Sequence, residues 1–318
     1  MLDVVGIGEA MLRLSPPRGD TLEAAAAFEV RAAGAEANVA VALARMGFRA
    51  GWVSRLSEGP LGRRIAAEVR RHGVDVSAVV WTPQGRTGLY FLEPGVPPRV
   101  AVVHYDRAGS AASALAPDDV DWGYVRSARW VHLTGITPAL SPSCEATVAR
   151  AVREARAGGV HVAFDVNYRR RLWPPDRARA VLEPLLHGAD LLLCASDDAR
   201  EVFALDGPPA RQAQALRART GAGAVVVTAG PDGAYLAAGD TDVVHQPAIP
   251  GEELDRIGRG DAFAAGVLWG ALEGDLGAGL RYGAALAALA QTYYGDVAWS
   301  TRADVLYLLA GQGQRPHR

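Results

Sequence analysis

From Arg129 onward the chain alternates short apolar runs with helix-patterned segments, and this rhythm restricts the fold more than any other feature. Strands are expected at Trp130–Leu133, Val160–Val166, Ala189–Cys194 and Ala224–Thr228. Helices are expected at Pro142–Ala157, Asp176–Leu186, Asp197–Leu205 and Arg211–Thr220, and a hairpin runs on to about Val244. Strands each followed by a covering helix predict an α/β fold, a mostly parallel sheet flanked by helices on both faces. Ligands of such sheets sit beyond the carboxyl ends of the strands. The polar residues at those ends are Thr134, Asp165, Asn167, Arg169, Asp197, Asp198, Thr228 and Gly230, so all are expected to face one crevice.

The first 128 residues follow the rhythm less closely. Asp3–Ile7 reads as a buried strand, and Leu12 to Ala32 as an excursion of short strands and turns. Val39–Met46 is a periodic apolar helix stopped by Gly47, with Asn38 out of place among Ala, Val and Leu. Gly51–Arg55 and Val76–Val80 read as strands around a helix at Leu61–His72. Thr87–Glu93 and Arg99–His104 form two β-rich runs joined by Pro-Gly and Pro-Pro turns, a hairpin outside the alternation. Gly6-Ile-Gly8 invites a dinucleotide fingerprint, but Met11 holds the third glycine position and Pro16-Pro17 follows where a helix is needed. The tail Gly311–Arg318 is expected to fray.

The stretch Asp255-Arg-Ile-Gly-Arg-Gly-Asp-Ala-Phe263 carries the chemistry. Gly258 and Gly260 let consecutive backbone N–H groups converge just where a helix begins, adding its own unsatisfied donors and positive dipole end. That arrangement suits phosphate. A carboxylate there, Asp261, is repelled by phosphate unless it does chemistry, and accepting a proton from an attacking hydroxyl is the natural work for it. The competing reading of Asp261 is a plain helix N-cap after a glycine turn.

Composition removes whole mechanisms. All 33 basic residues are arginine, so a Walker-type P-loop, a Schiff-base aldolase and a pyridoxal enzyme are excluded for want of lysine. A net charge of −2 exerts no long-range pull on nucleic acid or an anionic membrane. No apolar run approaches a membrane span, and no signal peptide is visible, so a cytoplasmic protein is expected. Cys144 and Cys194 sit far apart in apolar surroundings and suit buried structural roles.

Gly34-Ala-Glu-Ala-Asn-Val-Ala-Val-Ala-Leu-Ala-Arg-Met-Gly47 resembles the N-terminal signature of the ribokinase-like (PfkB) carbohydrate kinases, and Gly258–Asp261 with Ala262-Phe263 their C-terminal one. Between them, the segments Tyr105–Leu115, Leu133–Pro142 and Asp165-Val-Asn-Tyr-Arg169 resemble the 2-keto-3-deoxygluconate kinase branch. The similarity runs over about residues 2–310, with the motifs in order.

The resemblance implies a single ribokinase-like kinase domain over residues 1–318, with a small β-sheet lid from about 12–33 and 87–107. It implies ATP-dependent phosphorylation of a sugar-acid hydroxyl, 2-keto-3-deoxygluconate to its 6-phosphate. On the family pattern Asp261 falls on the base, and the backbone of Gly258, Arg259 and Gly260 on the anion hole. Gly34, Asn38, Tyr90, Tyr105, Arg107 and Arg169 fall on sugar-acid contacts, and Asn167, Thr228, Gly230 and Gly233 on nucleotide contacts. ATP and Mg²⁺ are the implied cofactors, the metal held through water near Asp198, with a monovalent cation left open as a third. Arg259 replaces the usual alanine of the anion hole, Ala195 an asparagine and Ala284 another. Exposed lid strands suggest a homo-oligomer through the lid. Independently of the family, a keto acid's planar carboxylate suits a guanidinium grip, for which Arg107 and Arg169 are candidates. A kinase for another sugar or nucleoside, and a sugar-acid-binding protein with weakened transfer, stay open as alternatives.

Overall fold

The computed structural model describes residues 1–95 and 98–311. The tail expected to fray beyond Gly311, and part of the Pro97-Pro98 turn, lie outside the described residues. In chain order come β1 (Leu2–Ile7), β2 (Met11–Ser15), β3 (Glu29–Ala33), α1 (Ala35–Arg45), β4 (Ala50–Val53), β5 (Arg55–Ser57), α2 (Pro60–Arg70) and β6 (Val80–Thr82). Next are β7 (Leu89–Glu93), β8 (Val102–Asp106), α3 (Trp122–Arg126), β9 (Ala128–Thr134), α4 (Pro142–Ala157), β10 (His161–Asp165) and α5 (Pro175–Leu186). β11 (Leu191–Ala195), α6 (Ser196–Phe203), α7 (Pro209–Thr220), β12 (Ala224–Thr228), β13 (Ala234–Ala238) and β14 (Val244–Gln246) follow. α8 (Arg259–Glu273), α9 (Leu276–Ala290) and α10 (Arg302–Leu309) complete the chain.

Eight strands form the main sheet in the order β14-β13-β12-β11-β10-β9-β1-β4. The six from β12 to β4 run parallel, and β13 and β14 extend the sheet as antiparallel strands. Strand alternation splits the core in two. Val4 and Val226 face one apolar layer with α1, α2, α8, α9 and α10, whereas Val5, Val225 and Val227 face the other with α4 to α7. Parallel register brings Thr134 opposite Asp165 and Ala195 opposite Thr228, so the strand ends form one rim.

The two N-terminal β-rich stretches build a second, four-stranded sheet in the order β3-β2-β7-β8. Met11, Ala33, Tyr90 and Leu92 form its own small apolar cluster. Its β8 begins three residues later than expected, at Val102. The strand expected at Val76–Val80 is mostly absent: only Val80 is in a strand, where β6 pairs with β5. Val74, Val76 and Val79 are buried there as a connection packed on the core, and buried apolar residues in such a connection read like a strand.

α8 and α9 bring their backbones into direct contact at two pairs of glycines. A methyl at Gly266 would sit 2.3 Å from the Gly283 nitrogen, and one at Gly270 would sit 2.3 Å from the Gly279 Cα. Trp269 stacks on Tyr282 at 3.9 Å beside this contact. The close crossing places the first turn of α8 against the segment that follows α9. Gly266→Ala gains about 1 kcal/mol of helix propensity but overpacks the crossing at about 1–3 kcal/mol. It should therefore lower the melting temperature, and a melting temperature at or above wild type would contradict this packing.

Candidate active site

The first turn of α8 is open to a ligand. Gly258 is its N-cap with φ +82°, and a Cβ there would lie 2.0 Å from the Asp296 carbonyl oxygen, so only glycine fits. Among the described residues, the Gly260 and Asp261 N–H groups have no hydrogen-bond partner, and Arg259 N–H makes one long bond of 3.4 Å to the Arg256 carbonyl. Three donors at the positive end of a fifteen-residue helix thus face a cavity of about 1220 Å³ at the carboxyl ends of the parallel strands.

Asp261 stands in that turn. Asn38, in the first half of α1, donates from Nδ2 to Asp261 Oδ2 at 2.7 Å, while its Oδ1 receives the Gly34 N–H at 3.4 Å. The out-of-place asparagine of α1 is thus a hydrogen-bond donor to this carboxylate. Burial pushes the Asp261 carboxyl up to about 7 against the pull of that bond. Burial, with Asp261 and Asp198 near, lifts Asp165 to about 8. Asp198 is lifted to about 6 by burial even though its Oδ2 accepts the Tyr168 N–H at 3.0 Å. Arg169, exposed at the rim, is the cation that favours the charged form of all three.

On the side of the second sheet, Tyr90, Tyr105, Arg107 and Gly34 all line the cavity. The two tyrosine rings lie 5.8 Å apart, and the Tyr90 hydroxyl is already committed to Asp296 Oδ2 at 2.6 Å. Gly34 is required by packing, because a Cβ would meet the Glu9 carbonyl oxygen at 2.2 Å. Arg107, one of the two candidates for the carboxylate grip, also holds an ion pair within the fold. Its Nε (2.8 Å) and Nη2 both donate to Oε2 of buried Glu9, and its Nη1 has no hydrogen-bond partner among the described residues. The Arg169 guanidinium makes no ion pair or hydrogen bond among the described residues, although its carbonyl accepts the Leu172 N–H at 2.8 Å.

Toward the other end, Asn167, Thr228, Gly230, Gly233 and Asp198 line the same cavity, as do Ala195 and Ala284. Asn167 adopts φ +39° and bonds Asp165 through its N–H and Nδ2, both at 3.2 Å. Gly233 is again fixed by packing, with a Cβ position 2.1 Å from the Gln246 carbonyl oxygen. Arg259 extends sideways, 3.4 Å from Gln291 Oε1 and 3.7 Å from Glu253, so its backbone N–H stays accessible. Thr134 does not face the crevice. It is fully buried and donates to Glu36 Oε1 at 2.8 Å, as does Thr137. Among the described residues no cluster of three or more acidic, histidine or cysteine side chains is arranged to ligate a metal directly.

Sequence reasoning missed five buried charges that brace this site: Glu9, Arg13, Glu36, Asp255 and Asp296. A charged residue inside an apolar run, such as Arg13 in Met-Leu-Arg-Leu, was the available signal.

A family model described as pfkB family carbohydrate kinase matches residues 1–302. A 2-dehydro-3-deoxygalactonokinase of Haloferax volcanii is 42% identical over 310 residues, 97% of each chain. The crystal structure of 2-dehydro-3-deoxygluconokinase from Thermotoga maritima superposes with a TM-score of 0.91 at 32% identity, covering 98% of both chains. A sugar kinase of Pyrococcus horikoshii solved in complex with ATP gives a TM-score of 0.80 at 25% identity, covering 95% of this chain and 97% of that one.

The two cavity arginines should separate cleanly in thermal denaturation. Arg107→Ala strands the buried Glu9 carboxylate and should cost about 3–5 kcal/mol of stability. Arg169→Ala breaks no ion pair and should melt close to wild type. Equal melting temperatures for the two variants would contradict the Glu9 pairing.

Proposed function

The chain belongs to the pfkB family of carbohydrate kinases, phosphotransferases that act on an alcohol, and from that premise we propose that it phosphorylates a 2-keto-3-deoxy sugar acid with ATP. The substrate is 2-keto-3-deoxygluconate or its C4 epimer, the classes named in the two similar enzymes, and the product is the 6-phosphate. One observation carries the mechanism: Asp261, lifted to about 7 and held by Asn38, stands among unpaired N–H donors at the start of α8.

In this reading the substrate hydroxyl oxygen forms a bond to the γ-phosphorus as the bond to ADP breaks, and the hydroxyl proton passes to Asp261. The N–H groups of Arg259, Gly260 and Asp261 receive the transferred phosphoryl oxygens. Arg169 and the free Nη1 of Arg107 take the substrate carboxylate. The four-stranded sheet serves as the lid, its Tyr105 covering the sugar and excluding water. Thr228, Gly230 and Asn167 border the nucleotide. The acids at the strand ends fit a hydrated Mg²⁺ arriving with the nucleotide: Asp198 and Asp165 carry lifted carboxyls whose ionised forms a cation would stabilise. When bound, that ion offsets the negative charge of the phosphates.

ADP release with ATP-Mg²⁺ should be selective for the two keto acids over ribose, fructose and gluconate. Asp261→Asn should reduce kcat by about 10²–10⁴-fold, and its retention of activity would sink the assignment of the base. For the wild type, kcat/KM should fall about tenfold per pH unit below the Asp261 value of about 7, because the ionised form is the base. A rate that is flat from pH 5 to pH 8 would contradict it.

A further inference from the structure

A buried cation from the second sheet is clamped onto the loop that forms the anion hole. Arg13 lies on β2 and is 3% exposed. Its Nη1 donates to Asp296 Oδ1 at 2.8 Å, its Nη2 to Asp255 Oδ2, and its Nε to Ser15 Oγ at 2.8 Å. The two acids belong to the other layer of the molecule. Asp255 precedes Gly258 by three residues, its Oδ1 accepting the Ile257 N–H and its Oδ2 the Gly295 N–H, both at 3.1 Å. Asp296 presses its own carbonyl oxygen against Gly258, where a Cβ would be 2.0 Å away. Its second carboxylate oxygen accepts the Tyr90 hydroxyl from β7. One guanidinium and one phenol therefore join the sheet that carries the sugar-side residues to both flanks of the Gly258–Asp261 turn.

Stability is a weak reason for such an arrangement. Desolvating an arginine and two aspartates is costly, and apolar residues of similar volume often serve as well or better. A planar fork held by two carboxylates supplies a fixed distance and orientation instead. Phosphoryl transfer depends on that: a misplacement of about 1 Å can cost about 10²-fold in rate.

We propose that Arg13 is a positioning residue of the transfer step, resting on the kinase reading above: it sets the anion-hole turn and Asp261 in register with the sugar bound under the second sheet. It touches neither substrate, so its loss acts on alignment and leaves binding of either substrate largely intact.

The test compares wild type, Arg13→Met and Arg13→Lys by steady-state kinetics in both substrates, with kcat expressed per folded molecule from circular dichroism and melting curves. Arg13→Met should lower kcat by about 10²-fold while KM for the keto acid changes less than about threefold. Arg13→Lys keeps the charge but has no planar fork, and should fold and still lose about tenfold in kcat. If Arg13→Met fails to fold, Arg13→Lys decides alone. Wild-type kcat per folded molecule in Arg13→Lys, or a KM rise that accounts for the whole loss, overturns the inference while leaving the kinase reading standing. A wild type that turns over no sugar acid but does turn over another sugar overturns the substrate assignment, and the same variants on that sugar then decide on Arg13.

Discussion

Three carboxyl groups and the positive end of a helix share one wall of the cavity, and the rest of the site is arranged around the cost of that crowding. Each pH unit by which a carboxyl is lifted costs its ionised form about 1.4 kcal/mol, and Asp165, Asp198 and Asp261 are lifted to about 8, 6 and 7. The surroundings limit the lift with donors: Asn38 to Asp261, Asn167 to Asp165 and the Tyr168 N–H to Asp198. Arg169 is the shared cation and is otherwise unpaired among the described residues. A wall so charged is poorly balanced alone and well suited to cationic and polar ligands, which matches a carbohydrate kinase better than an apolar-ligand protein.

The second layer of organisation ties the four-stranded sheet to the rest of the molecule with buried ion pairs. Glu9, just past β1, holds Arg107 just past β8. Arg13 on β2 holds Asp255 and Asp296 beside α8. Glu9 and Arg107 line the cavity, whereas the Arg13 cluster sits behind the start of α8, with Asp296 alone of its three members at the cavity wall. Their geometry explains why two arginines that look alike in the sequence differ in consequence. Arg107 is partly consumed by the fold, whereas Arg169 is available to a ligand.

Much of the main sheet was legible because buried parallel strands read as uninterrupted apolar runs, as in Leu191–Ala195 and Ala224–Thr228. The Gly258–Asp261 turn was legible for a different reason, since two glycines just before an acid at a helix start leave few local alternatives. Val76–Val80 was misread because burial makes a strand-like pattern whether or not the backbone finds a ladder partner. Thr134 was placed in the crevice by its position at a strand end, but Glu36 from α1 occupies that end and turns its hydroxyl inward. The Arg13 cluster escaped because its partners are 242 and 283 residues away. The apolar run around Arg13 on an interior strand marks a buried charge, but nothing local names its partners.

Arg259 shows how a departure from a motif acquires meaning only in three dimensions. In the sequence Arg259 is a long cation where the resembled family carries alanine. The structure turns it along the wall toward Gln291 and Glu253, at 3.4 and 3.7 Å, both marginal distances. So held, the side chain costs little to release, and its backbone N–H remains part of the helix terminus. In a chain without lysine, this half-exposed arginine is one of several arginines lining the cavity, and it lies beside the unpaired N–H groups. The substitution therefore adds positive charge to the helix end without removing any of its donors.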